Sequence, residues 1–87
     1  MKPKNISGKR IAETRKRCRP ALTQAVLSDR VTRLGVRLDR AAIAKIENGL
    51  RGVQDFELVA IARSLKVSPL QLLGRAASRP RGAKPKG

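Results

Sequence analysis

Residues 38–49 read LDRAAIAKIENG, and both ends of a helix are written into them. Asp39 is placed to cap the start, since its carboxylate can accept an orphan backbone N–H at the positive end of the helix dipole. Leu38 before the cap and Ile43 at the fourth helical position have the spacing of a hydrophobic staple. Gly49 can take the left-handed conformation that closes a helix. At about 100° per residue, Ala42, Ile43 and Ile46 share one face, and Arg40, Ala41, Ala44, Lys45 and Asn48 the other. The second face is basic, small-sided and free of acids, and core packing does not explain it.

Outward from this stretch the periodicity stays helical. Upstream, Thr23 caps a helix running to about Leu34, with Leu27, Val31 and Leu34 on one stripe and Gly35 as terminator. Before it, Ser7 caps a helix from about Gly8 to Cys18, ended by Pro20, with Ile6 and Ile11 at staple spacing. Its inward line, Ile11, Thr14, Arg15 and Cys18, is unusually polar. Downstream, Asp55 caps a fourth helix carrying Leu58, Ile61, Ala62 and Leu65 at core spacing. Ser68 caps a brief fifth helix with Pro69 in its first turn and Leu70 to Leu73 following. Phe56, the only aromatic residue, is expected in the core, and Cys18 as a small buried or half-buried apolar residue. No strand pair is predicted, so the fold class is all-α, a compact five-helix domain.

Composition narrows the function. The 87 residues suffice for one small domain with one modest core. They include 21 Lys and Arg against 6 Asp and Glu, a net charge of +15, which argues for a polyanionic partner: nucleic acid, an anionic membrane surface or an acidic protein. Residues 1–19 carry +7 and residues 74–87 carry +5, so the excess sits at the ends. This divides the chain into a basic arm over 1–5, a helical domain over 6–73 and a tail over 74–87. The tail, GRAASRPRGAKPKG, has no apolar side chain beyond alanine and cannot offset the entropy of ordering itself, so a flexible basic segment is expected. The absence of histidine removes the commonest general base and metal ligand, and a single cysteine excludes an intrachain disulfide or a Cys-rich metal site. With so few acids, no enzyme, metal or cofactor is expected. No apolar run approaches a membrane span, and the opening MKPKNISGKR lacks the apolar core of a secretory signal. A soluble, cytoplasmic protein is expected.

The strings ALTQAVLSDRV (21–31), LDRAAIAKIENG (38–49) and DFELVAIARSLKVSPLQLL (55–73) together resemble the helix-turn-helix domain of the Cro and phage-repressor type. In that family a Thr-Gln opens helix 2, an Ile-x-x-Ile-Glu-Asn-Gly string closes the recognition helix, and Ala-x-x-Leu-x-Val-Ser joins the last two helices. The likeness covers about residues 6 to 73. It departs in the path from helix 2 to helix 3, which is a few residues longer than the usual tight turn, and in two extra residues around Arg19 and Pro20.

The resemblance implies that the outer face of helix 3 enters the DNA major groove. Arg40 then takes the first base-reading position, where an arginine can pair bidentately with guanine. Ala41 takes the next position, facing a thymine methyl, and Lys45 reaches a base or a phosphate. Gln24 matches the glutamine that the family places against a phosphate, while Asn48 and Arg51 are positioned for the backbone. Arg15 and Glu47 match an arginine–glutamate pair of those repressors. Both are awkward alone: Arg15 follows Ile11 on the inward side of helix 1, and Glu47 lies near a helix C-terminus, where the dipole disfavours an acid. A largely buried salt bridge between them is expected.

The same residues admit plainer readings. Arg40 and Lys45 as solvated charges, the alanines as helix formers and Asn48 as a helix-end residue are all consistent with the pattern. Three functions follow. The first is a sequence-specific double-stranded DNA-binding regulator, a repressor acting as a homodimer, with the Leu70 to Leu73 end as its contact. The second is a DNA-binding module whose main task is a protein partnership, as in an antitoxin. The third is a non-specific nucleic-acid-binding protein, with a steep salt dependence and little discrimination.

Overall fold

The computed structural model describes residues 4–73. The tail expected over 74–87 and residues 1–3 of the arm lie outside them. Among the described residues there are five helices and no strand: α1 (Gly8–Arg17), α2 (Gln24–Arg33), α3 (Arg40–Glu47), α4 (Asp55–Leu65) and α5 (Pro69–Leu73). No helix among them is long and apolar enough to cross a membrane.

The middle helices begin and end on local signals. Thr23 Oγ1 accepts the Val26 N–H at 3.1 Å, and Asp39 Oδ1 accepts the Ala42 N–H at 2.8 Å. Each is a cap that satisfies one orphan donor. At the far end of α3, Gly49 turns left-handed (φ 76°), and its N–H and that of Leu50 bond back to the Ile46 and Lys45 carbonyls at 3.0 and 2.8 Å. α2 closes in the same way through Gly35 (φ 90°), with Gly35 and Val36 bonded to Thr32 and Val31 at 2.9 and 3.3 Å. This paired closure caps the last carbonyls of a helix. α4 repeats it with a lysine, Lys66, at φ 61°.

Several local expectations are corrected. α1 is not capped by the Ser7 side chain, which makes no cap hydrogen bond. Asn5 Oδ1 takes that role, accepting the Ser7 and Gly8 N–H groups at 3.1 and 2.6 Å. Ile6 is exposed and forms no buried staple. α4 begins one residue earlier than expected: Gln54 is its cap, Asp55 is its first residue, and Glu57 accepts the Gln54 N–H at 2.9 Å. Leu34, at the end of α2, is 44 % exposed, and Phe56 is 56 % exposed rather than in the core. Both face away from the helices that pack around the core. Cys18 is half-buried and follows the last residue of α1.

The core is made by Ile11, Leu22, Leu27, Val31, Leu38, Ile43, Ile46, Ala60, Ile61, Ala62, Leu65 and Leu72. α1 packs on α3, α4 and α5, and α2 packs on α3 and α4. An eight-residue helix is unstable alone. α3 is held by Ile43 and Ile46, each at most 1 % exposed and each contributing about 1.5–3 kcal/mol on burial. The six residues 34–39 link α2 to α3. Ser28 Oγ fastens this link to α2 by donating to the Leu38 carbonyl at 2.7 Å.

Candidate nucleic-acid interface

α3 is seated by its inner side and free on its outer side. Arg40, Ala41, Lys45 and Asn48 are exposed, Ala44 is half-buried, and Ile43 and Ile46 point into the core. At 100° per residue, Ala41, Lys45 and Asn48 run as one line along the helix, with Ala44 and then Arg40 flanking it. The alanines leave the backbone close to whatever meets this face, and the two cations, Arg40 and Lys45, stand at its two edges.

The C-terminal end of α3 is tied down by charge. Arg15 donates through Nε to Glu47 Oε2 at 2.8 Å and through Nη2 to Oε1 at 3.0 Å. The Arg15 and Glu47 side chains are 11 % and 4 % exposed. Two further bonds complete the cluster: Arg15 Nη1 to the Leu22 carbonyl at 2.8 Å and Gln24 Nε2 to Glu47 Oε1 at 2.9 Å. Glu47 is therefore held from α1 and α2 at once. Each side-chain nitrogen of Arg15 and both carboxylate oxygens of Glu47 thus carry a hydrogen bond, which makes a buried pair tolerable.

Gln24 thereby has a partner inside the fold. Its side-chain amide serves the interior pair and retains one N–H for any other acceptor. The start of α2 keeps its positive dipole end, and a shallow depression there is lined by Arg15, Lys16, Thr23, Gln24 and Arg40. Arg40 and Gln24, assigned from separate strings, thus border the same hollow. Lys16 joins them unforeseen; its only sequence signal was its place in the basic end of α1.

Arg51 is paired within the fold. Its guanidinium forms a bidentate pair with Glu57, Nη1 to Oε1 at 2.9 Å and Nη2 to Oε2 at 3.0 Å, and Nη1 also donates to the Gly52 carbonyl at 2.9 Å. The fork that a phosphate would need is already occupied by a carboxylate whose side chain is 6 % exposed. The Arg51 hydrogen bond holds the Glu57 carboxyl below the usual range against the opposing effect of burial, and the Gln54 N–H adds to it. Glu57 in turn raises Arg51. Asn48 remains exposed at the end of α3, as its expected position requires.

Asn5 carries a structural role that the sequence reading missed. Its Nδ2 donates to the Ile46 and Arg51 carbonyls at 3.0 and 2.7 Å, and the Lys4 N–H donates to the Gly49 carbonyl at 2.8 Å. The chain before α1 is thus bonded to the end of α3. Gly8 sits against this junction so closely that a Cβ there would run into the Ile46 carbonyl oxygen. An asparagine shortly before a Ser-Gly helix start is a weak capping signal, and nothing local in it points to α3.

Among the described residues no group of three His, Cys, Asp or Glu side chains is placed to hold a metal ion. No protein-family model, no curated protein and no solved structure matches the chain.

Proposed function

We propose that this protein is a sequence-specific double-stranded DNA-binding regulator of the Cro and phage-repressor type, a repressor that binds a two-fold operator as a homodimer. The observation that carries this reading is the outer face of α3: Arg40, Ala41 and Lys45 exposed on a helix whose inner side is fixed by Ile43, Ile46 and Glu47. A recognition helix needs that combination, because base readout depends on side chains held within a fraction of an ångström of the groove edges. In this reading Arg40 pairs with guanine, Ala41 packs on a thymine methyl and Lys45 takes a base or phosphate. The hollow at the start of α2 receives a phosphate between Lys16 and the helix end. The net charge of +15 supplies the sequence-independent attraction.

Two alanines on the reading face keep a second reading in play, that of a non-specific nucleic-acid-binding protein. Selection of bound sequences from a random duplex pool separates the two. The DNA-regulator reading expects a palindromic consensus with half-sites about one helical turn apart. Recovery of no consensus overturns it in favour of the second.

A further inference from the structure

α4 turns a stripe to solvent that no other helix among the described residues covers. Asp55, Phe56, Val59 and Arg63 are all exposed and share one side of the helix, opposite the buried Ile61. Phe56 is 56 % exposed and Val59 44 %, although phenylalanine is an apolar residue of large area. The two charged residues stand at opposite ends: Asp55 opens α4 and Arg63 lies in its last turn. Neither takes part in an ion pair among the described residues.

We infer that this stripe, in place of the Leu70 to Leu73 end expected from the sequence, where Leu72 is buried in the core, is a contact with a second copy of the chain, the two α4 helices packing antiparallel about a two-fold axis at Val59. The order of the side chains selects that occupant. A two-fold contact presents the same patch twice, so the patch must complement itself. About an axis at Val59, Asp55 of one copy faces Arg63 of the other, and the reciprocal pair closes at the same time. The eight steps from Asp55 to Arg63 span about 12 Å in both copies, so the two pairs are matched in spacing. Phe56 and Val59 fill the space between them. A parallel arrangement would set like charge against like. The area is small, and two copies of +15 each repel. The free dimer is therefore weak and is favoured by salt that screens the overall charge. The contact is independent of the DNA reading and is measured without DNA.

The test is sedimentation equilibrium of the purified full chain at moderate salt. The parent is compared with Asp55→Arg, Arg63→Asp, the double reversal and Phe56→Ser, and thermal melts report that each is folded. The expected result is a reversible monomer–dimer equilibrium. Each single reversal turns two attractive pairs into two repulsive ones and weakens it by about tenfold or more. The double reversal returns it to within about threefold. Phe56→Ser weakens it with every charge in place, and so carries the test should a reversal fail to fold. A chain that is monomeric at every concentration, a dimer indifferent to both reversals and to Phe56→Ser, or a double reversal that restores nothing would each overturn the inference. Some other partner, or none, would then cover this face.

Discussion

Arg15 of α1 and Glu47 of α3 meet through two parallel hydrogen bonds of 2.8 and 3.0 Å, 32 positions apart in the chain. Their contact fixes how the exposed helix leaves the core. Removal of one partner strands the other charge with its solvent access largely gone, so Glu47→Ala is expected to cost about 3–5 kcal/mol. Replacing both with well-packed apolar residues is expected to be nearly neutral by comparison. A double-mutant cycle in urea measures the coupling, and a value near zero would mean that the pair does not hold α3.

For the reading face, Arg40→Ala is expected to cost about 1–3 kcal/mol of discrimination at one base pair of the selected site. Affinity for unrelated duplexes falls much less. Equal loss on every sequence, measured by competition binding, would make Arg40 a phosphate contact.

The Arg51–Glu57 pair predicts a pH dependence. Glu57 titrates below its ordinary value of 4.5 in the folded chain. Its contribution to stability is therefore complete above that value and is lost as pH falls through the lower, folded one. Thermal melts from neutral pH to about pH 3 are expected to show Glu57→Gln with a flatter acid limb than the parent, from a lower starting stability. Parallel acid limbs would assign the acid sensitivity to other carboxyls.

Gly8→Ala puts a methyl group into the Ile46 carbonyl, at the junction where Asn5 joins α1 to α3. Backbone lies on both sides, so relief requires moving a helix. The expected loss is about 1–3 kcal/mol, read from denaturant midpoints. An unchanged midpoint would show the junction to be loose.

Lys66 closes α4 at φ 61°, where a side chain costs about 1–2 kcal/mol relative to glycine. Glycine returns roughly 0.5–1 kcal/mol of that through its freer unfolded state. Lys66→Gly is thus expected to stabilise the chain by about 0.5–1 kcal/mol, the net of those two effects. A fall in melting temperature would show that the lysine side chain contributes more than its backbone costs.

The sequence by itself determined the elements whose signals are short-range. Asp39, Gly35 and Gly49 each act on backbone groups within five residues, so α3 and the closure of α2 were legible before any packing was known. The spacing of Ile43 and Ile46 was enough to choose the inner face of α3 and to leave Arg40, Ala41 and Lys45 outside. Arg15 and Glu47 were legible because each was awkward in its own helix and because the two positions match an arginine–glutamate pair of the repressors the sequence resembles. Tertiary structure decided the rest. Periodicity names a face but not what covers it, and Phe56 is left exposed among the described residues. Arg51 looked like a backbone contact until α4 brought Glu57 within reach of its fork. Gln24 was drawn inward by Glu47 from another helix, and Asn5 capped α1 while bonding to α3. Long polar side chains have several reachable partners, and the choice among them depends on the placement of elements remote in sequence, which local propensity does not encode.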